Sequence, residues 1–373
     1  NRPQPQGEHV ILIFSTTHDR TTTDVMRWLH HFGREDVLRI NSDEPDSERA
    51  LRILIADERL RLSVANKTIE LSDIEVIWYR KGRNWLANCF SEISFEGLPE
   101  LSAHFTKVLR AEENKLAEYI HTILCRSRPT LGSFHNIDLN KLVVLDLARS
   151  LGFSVPTFWV TNERSAVQEV MMREPELITK AMSDGIFLFA RREEATGYFS
   201  YTESLSCETV QSLPAVFPPS LVQQRIDKSC DIRVFFLAGR CYAMAILSQH
   251  NARTRVDFRK YDAERPNRCV PYRLPTHLEI LINELFHSLA LNTGSIDLIL
   301  DKSGQHYFLE INPVGQFAMV SESCSYQLER EVAIFLIDHA KQRKPAKTQP
   351  RPTRRAAVGT SSYLYDSDPS AGC

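Results

Sequence analysis

Residues 307–317, YFLEINPVGQF, begin as an apolar strand that polar residues then interrupt. Glu310 and Asn312 lie two residues apart, and Pro313 ends the run. Because successive side chains of a strand point to opposite faces, the carboxylate and the amide project from the same face. The stretch therefore predicts a strand with an oxygen-bearing patch on one face.

A preceding strand, SIDLIL at 295–300, contributes a third oxygen ligand in a predicted hairpin. Residues 301–304, DKSG, suit a four-residue hairpin loop, which places Asp297 opposite Phe308. Phe308, Glu310 and Asn312 then share the face of Asp297, with Glu310 diagonally about 7–8 Å from Asp297. Such oxygen groups suit Mg²⁺. The alternative is an exposed hairpin face with ordinary polar residues.

The composition is that of a globular protein with 373 residues, 43% of them hydrophobic and 25% charged. A net charge of -2 gives no electrostatic reason to expect nucleic acid or a membrane as partner. No apolar run approaches the roughly 20 residues of a membrane-spanning helix. The eight cysteines form no CxxC pair, which is typical of reduced thiols. We therefore expect a cytoplasmic protein.

Strand and helix patterns follow one another in three units, which predicts an α/β (α+β) chain. We place the units at 8–130, 131–225 and 226–340. Residues 341–373 are basic, then small and acidic, with little periodicity, so we expect a disordered tail.

Several charged motifs precede the strand pair in a characteristic order. Lys141 stands at the start of a helix that Asp138 can cap, and Lys180 ends LITK. VQQRIDKSCDIR follows at 222–233, and LEINPVG closes the series at 309–315. In this order the parts resemble the ATP-grasp superfamily of carboxylate ligases.

A closer resemblance lies in VIWYRKG at 76–82, TGSIDLIL at 293–300 and FLEINPVGQF at 308–317. These segments are similar to the ATP-grasp ligases that mature graspetides, in particular the grasp-with-spasm or microviridin-type group. The resemblance implies an ATP-grasp fold with a pre-ATP-grasp subdomain at 8–130, a central subdomain at 131–225 and a C-terminal subdomain at 226–340. ATP would lie between the last two.

The resemblance places six residues at the nucleotide: Lys141, Lys180, Gln224, Arg225, Ile226 and Asp231. The two lysines would contact phosphate and adenine-side groups, and the backbone of residues 225–226 would pair with the adenine ring. Gln224 stands where a Glu usually accepts from the adenine amino group, a bond that its amide oxygen can also accept. Asp231 would lie on the ribose or phosphate side. The alternative for each lysine is an ordinary solvated side chain.

The resemblance also implies magnesium ligands, phosphate contacts and substrate contacts. Asp297, Glu310 and Asn312 would hold two Mg²⁺ ions, with Glu310 bridging them and Mn²⁺ as a substitute. The remaining positions are Arg259 at the γ-phosphate, Arg233 at an acidic side chain of the peptide, and Arg80 and Lys81 near peptide acids. For Arg233 the alternative is a structural pair with Asp231, and for Arg80 and Lys81 a surface cluster.

The implied reaction activates a side-chain carboxylate as an acyl phosphate. A Ser or Thr hydroxyl, or a Lys amine, of a precursor peptide with acidic core residues then forms an ester or amide. The alternatives are a ligase that adds an amino acid to a protein tail or small metabolite, and a nucleotide-binding regulator without turnover. The sequence does not decide whether the protein forms a homodimer. The tail is either a fused substrate-like segment or a plain extension.

Overall fold

A computed structural model describes residues 9–44, 50–56, 59–65, 67–81, 85–86, 95–183, 185, 187–191, 195–260 and 262–341. Apart from Lys341, the expected tail lies outside these residues. No helix within the described ranges is long and apolar enough to cross a membrane.

The first unit is built on a parallel sheet. Its elements are β1 (Val10–Ser15), α1 (Arg20–His31), β2 (Val37–Asn41), β3 (Arg52–Ala56), β4 (Arg59–Val64), β5 (Lys67–Glu70), β6 (Ile74–Tyr79), α2 (Pro99–Ser127) and β7 (Thr130–Leu131). The sheet has the order β2-β1-β6-β7, and β3-β4-β5 form a separate antiparallel sheet. Continuous apolar runs such as VILIF in β1 suit strands that are buried on both faces.

Helix α2 buries a histidine in this unit. His121 is fully buried, and the indole N–H of Trp85 donates to its Nε2 over 2.6 Å. The other ring nitrogen, Nδ1, lies 2.9 Å from the hydroxyl of Tyr79. Because Nε2 accepts a hydrogen bond, the proton of the neutral ring is on Nδ1. Burial lowers the pKa of His121 to about 3.

The second unit contains a four-stranded antiparallel sheet. Its elements are α3 (Lys141–Leu151), β8 (Phe158–Glu163), α4 (Arg164–Arg173), β9 (Leu177–Lys180), β10 (Phe187–Arg191), β11 (Ala195–Phe199), β12 (Glu203–Leu205), α5 (Cys207–Ser212) and β13 (Val216–Gln224). The sheet order is β12-β9-β13-β8, and β10 pairs with β11. One face of the sheet packs on α4 and α5 through Val167, Leu177, Val210 and Val222.

The cap of α3 differs from the expectation. Asn140, not Asp138, is the N-cap, and its side chain accepts from the backbone N–H groups of Leu142 and Val143. The helix begins one residue after Asn140, so Asp138 is too far upstream to serve its first turn. Lys141 is therefore the first residue of the helix.

The third unit is a five-stranded antiparallel sheet with helices on both faces. Its elements are β14 (Lys228–Leu237), β15 (Arg240–Leu247), a 3₁₀ turn (Ser248–His250), β16 (Arg268–Tyr272), α6 (Thr276–Ser288), β17 (Thr293–Asp301), β18 (His306–Asn312), α7 (Ala318–Cys324) and α8 (Leu328–Ala340). The order is β16-β15-β14-β17-β18. One face packs on α3 and α6. The other joins α7, α8, α1, β1 and β6 in a single core.

The register of β17 and β18 corrects the predicted hairpin. Asp297 pairs directly with Glu310, not with Phe308, and Phe308 pairs with Leu298. The register shifts at this point, so Leu309 is an extra residue, a β-bulge. Phe308 shares the face of its partner Leu298 and is therefore buried with it in the core on the opposite face. Because the bulge skips Leu309, Glu310 is the residue that pairs directly with Asp297.

Candidate active site

Two carboxylates form the centre of the site. Asp297 and Glu310 are direct cross-strand neighbours on the face that also carries Arg233. Burial, only partly offset by Arg233, raises the pKa of Asp297. Burial acts in the same direction on Glu310, but Lys141 and Lys180 outweigh it, and the pKa of Glu310 lies below its usual value. Two adjacent carboxylates that are largely removed from solvent create a demand for cations.

The two lysines come from different elements and meet at Glu310. The Nζ of Lys141, on α3, lies 3.1 Å from Oε2 of Glu310 and donates to the carbonyl of Ala181 over 3.2 Å. Lys180 ends β9 in the second unit, and burial lowers its pKa to about 8 although Glu310 opposes the shift. The structure thus brings together the three side chains that the sequence places far apart.

Two arginines flank the carboxylates. Arg233 forms a two-pronged pair with Asp297, at 3.0 Å from Nε to Oδ1 and 3.3 Å from Nη2 to Oδ2. Arg259 is held by Asp257 in a similar pair at 2.9 and 2.7 Å. The bond to Asp257 raises the pKa of Arg259 above its usual value, and the charges of Glu310 and Asp297 add to this. Arg259 therefore stays charged beside the carboxylates.

Asn312 lies at the end of β18, next to Ser295 in the register. Its Oδ1 accepts from the backbone N–H groups of Val314 and Gly315, at 3.0 and 3.2 Å. The two carboxylates and this amide oxygen form the oxygen-only donor set that Mg²⁺ prefers. Within the described ranges no group of three or more His, Cys, Asp or Glu side chains could hold a metal, so such an ion would depend on the amide oxygen.

Asp231 is more buried than a ligand-facing acid would be. Its carboxylate lies 2.6 Å from the Nζ of Lys228 and accepts from the hydroxyl of Ser248 over 2.6 Å. Burial raises the pKa of Asp231, and the two partners oppose the shift. Arg233 therefore has Asp297 as its partner, and the alternative of a structural pair between Asp231 and Arg233 is wrong.

The two adjacent glutamines of β13 face opposite ways. Gln223 pairs with Ile178 while Leu221 pairs with Lys180, so Gln223 lies on the face that carries Lys180. It is 0% exposed, and neither amide atom has a hydrogen-bond partner within the described part of the chain. Gln224 lies on the other face, and its Oε1 accepts from the N–H of Thr157 over 3.4 Å. The sequence motifs indicate Gln224 and not Gln223, and only alternation from Lys180 through the strand pairing shows that Gln223 shares the face of that lysine.

Backbone hydrogen bonds hold the end of β13 and the residue after it, next to the segment that the resemblance assigns to the adenine ring. The N–H of Arg225 donates to the carbonyl of Glu176 over 2.8 Å, and that of Gln224 donates to the carbonyl of Thr157 over 2.8 Å. Ile226 follows in the connection to β14. The segment thus crosses from the second unit to the third.

Arg80 and Lys81 differ in exposure. Arg80 is 2% exposed, its Nε donates to Asp19 over 3.0 Å, and its Nη1 donates to the carbonyls of Val314 and Gly315. Its guanidinium is thus bonded to the protein itself, which does not favour contact with a substrate. Lys81 is 32% exposed, with its Nζ 3.6 Å from Asp19.

Known structures with similar folds include peptide-modifying ATP-grasp ligases. A RiPP-associated ATP-grasp ligase from Chryseobacterium gregarium, in complex with ADP and a leader and core peptide, matches with a TM-score of 0.73 at 24% identity, covering 90% of this chain and 99% of that chain. The macrocyclase MdnC from Microcystis aeruginosa MRC, bound with precursor peptide MdnA, matches at 0.70 and 22%, covering 88% and 99%.

A more distant likeness is to the D-alanyl-alanine synthetase A of Vibrio cholerae, with a TM-score of 0.52 at 13% identity, covering 90% of this chain and 99% of that chain. No family model matches the chain, and no curated protein does. The likenesses confirm the expected ATP-grasp fold over about nine tenths of the chain, and the neighbours include the kind of ligase that the sequence resembles.

Proposed function

We propose that this ATP-grasp protein is an ATP-dependent ligase that joins a side-chain carboxylate of a precursor peptide to a Ser or Thr hydroxyl or a Lys amine of the same peptide. The observation that carries the proposal is the direct pairing of Asp297 and Glu310, surrounded by two lysines and two arginines. Phosphoryl transfer needs such cations and carboxylates more than it needs a nucleophilic side chain. The ADP and peptide complexes of the structural neighbours support the same reading.

ATP would lie between the second and third units, where Lys180 and Glu310 approach each other. Lys141, Lys180 and Arg259 would neutralise the phosphates and the charge that develops during transfer. Gln223 would read the base, because its buried amide can accept from an exocyclic amino group and donate to a ring nitrogen. This role moves from Gln224 to its neighbour, and the backbone of residues 225–226 would pair with the ring.

Asp297, Glu310 and Asn312 would hold two Mg²⁺ ions. One of the structural neighbours, the ligase PsnB, was solved with Mg and ADP. The ions would supply positive charge at the phosphate oxygens. The oxygen donors of this chain fit Mg²⁺, and the same donors accept Mn²⁺. Asp231 would act only indirectly, since Lys228 and Ser248 hold its carboxylate.

Arg233 would bind the acidic side chain of the peptide. Its guanidinium holds Asp297 in a two-pronged geometry, and it can exchange that carboxylate for the acid of a substrate in the same geometry. The substrate oxygen then attacks the γ-phosphate, ADP leaves, and an acyl phosphate remains. Attack by the hydroxyl or amine on the acyl carbon releases phosphate and a proton. Lys81 is the partly exposed cation that can contact further peptide acids.

The test begins with a search beside the gene for a small reading frame that encodes an acidic, Thr-rich peptide. A peptide found in this way is incubated with the protein, ATP and Mg²⁺. We expect peptide-dependent ADP release and a loss of about 18 Da from the peptide for each ester or amide formed, by condensation stoichiometry. Turnover with a free amino acid but with no peptide would favour a small-substrate ligase. The likeness to D-alanyl-alanine synthetase supports this alternative. Nucleotide binding without turnover on any acid would favour the regulator.

A further inference from the structure

A buried arginine of the first unit donates hydrogen bonds to the loop that follows β18, residues 313–317. Arg80 comes directly after β6, and its Nη1 donates to the carbonyls of Val314 and Gly315 over 2.7 and 2.6 Å. These contacts join positions that are 234 and 235 residues apart in the chain. The guanidinium also lies 5.3 Å from the centre of the Phe317 ring. The loop is therefore held by the first unit, not by its own sheet alone.

A single peptide group connects Arg80 to the side-chain amide of Asn312. The carbonyl of Val314 and the N–H of Gly315 belong to the same peptide group. That N–H is shared between the backbone carbonyl of Asn312, over 3.1 Å, and its Oδ1, over 3.2 Å. A charged donor on the carbonyl polarises the peptide group and strengthens both hydrogen bonds that its N–H donates. A continuous series of bonds thus runs from Arg80 to the oxygen of Asn312.

The other side of the loop is fixed by close packing on β17. Gly315 has a φ of +58°, and a Cβ there would come within 2.8 Å of the carbonyl carbon of Gly294. Asp19, in turn, holds Arg80 in place and accepts from the hydroxyl of Thr22 over 2.8 Å. The loop lies between a rigid strand and an immobilised guanidinium, so the direction of the Asn312 oxygen is set from both sides.

We infer that Arg80 is a positioning residue that orients Asn312 as a metal ligand. The inference rests on the proposed function. A buried ion pair is weak evidence for stability, because apolar residues of similar volume often replace such pairs without loss. The bonds from Arg80 to two carbonyls beside a candidate ligand give it a reason beyond stability. Groups that orient metal ligands in this way typically change metal affinity by about 10–100-fold when they are removed.

The test compares two arginine–carboxylate pairs of the same unit. The double variant Arg80→Met with Asp19→Asn removes the hydrogen bonds from residue 80 to the loop without leaving an unpaired buried charge. The control, Arg34→Met with Glu75→Gln, removes a pair joined at 2.5 Å elsewhere in the unit. Mn²⁺ binding in the presence of ADP is followed by the electron paramagnetic resonance of the free ion. Hydrogen exchange of residues 312–317 is measured without metal, and ADP affinity in the presence of a chelator.

We expect the Arg80 variant to bind Mn²⁺ about 10–100-fold more weakly, with faster exchange at Val314 and Gly315 and unchanged ADP affinity in chelator. The control variant should match the wild type in all three. Arg80→Lys keeps the charge but cannot reach both carbonyls and Asp19, so its shift should be smaller and in the same direction.

Wild-type Mn²⁺ affinity in the folded double variant overturns the inference. If that variant does not fold, wild-type affinity and exchange in a folded Arg80→Lys protein overturn it equally. A wild-type protein that binds neither ADP nor Mn²⁺ refutes the proposed function instead, and the inference with it.

Discussion

Replacing Gln223 with Met should change stability and nucleotide affinity in opposite directions. Gln223 is fully buried, and its amide has no hydrogen-bond partner among the residues that the structure describes. An unsatisfied buried polar group costs about 1–3 kcal/mol. Methionine has a similar length and no such group, so the nucleotide-free variant should be more stable by about that amount.

Nucleotide binding should weaken in the same variant. If the amide accepts from the adenine amino group and donates to the ring, its loss removes about 1–3 kcal/mol of binding free energy, which raises the dissociation constant of ATP about 5- to 150-fold. The preference for ATP over GTP should fall in parallel, because discrimination of this kind comes from polar groups left unpaired by the wrong ligand. Urea unfolding without nucleotide measures the first effect, and calorimetric titration with ATP and GTP the second.

The matched control is Gln224→Met, whose side chain lies on the other face and accepts from Thr157. It should leave ATP affinity within about twofold and cost at most about 1 kcal/mol of stability. A loss of ATP affinity in Gln224→Met with none in Gln223→Met would show that the sequence placed the base-reading residue correctly. A Gln223→Met protein that is less stable and binds ATP normally would refute the argument from burial.

Three further predictions concern the metal, the substrate and pH. Glu310→Gln should lower peptide-dependent ADP release at least about 100-fold with the fold retained by circular dichroism, and near-normal turnover would contradict the metal role. Arg233→Ala should reduce peptide modification far more than ADP affinity; equal losses would place Arg233 at the nucleotide. The pKa of His121 is lowered to about 3 in the folded protein, so between pH 3 and about 6.5 only the unfolded chain binds this proton. The contribution of His121 to the free energy of unfolding is therefore fully present above pH 6.5. It falls on acidification by about 1.4 kcal/mol per pH unit. Urea midpoints from pH 5 to 7.5 should show this component in the wild type and lose it in His121→Gln; identical slopes would exclude it.

The sequence predicts the elements of the site better than their relative placement. The alternation around Glu310 and Asn312 indicates correctly that the two point the same way, because side-chain period is a local property of strands. The partner of Asp297 could not be predicted, since the bulge at Leu309 depends on how two strands fit together. The loop was predicted one residue too long: Asp301 and Gln305 are already bonded, over 2.9 Å from N–H to carbonyl, so only residues 302–304 lie outside the pairing.

Two other features have a similar origin. A pair of adjacent glutamines gives no local sign of which side of β13 each one lies on, and only the pairing of β13 with β9 decides it. Arg80 follows a strand in a basic cluster, which is typical of a surface position, yet a loop more than 200 residues later covers it. In both cases the deciding contact is distant in the chain, where single-sequence patterns carry no information.

The core shared by the first and third units bears on how the chain folds. The apolar faces of α1, β1 and β6 are covered by α7 and α8, so this part of the core is completed only by residues beyond 318. Chains are synthesised from the N-terminus at about 5–20 residues per second, so these faces stay uncovered for roughly ten seconds or more. Contacts this distant in sequence also slow folding, because the loop entropy is lost before the contacts form. The interval from the first strand to the last helix is thus the time in which the nascent protein is most exposed to aggregation and most dependent on chaperones.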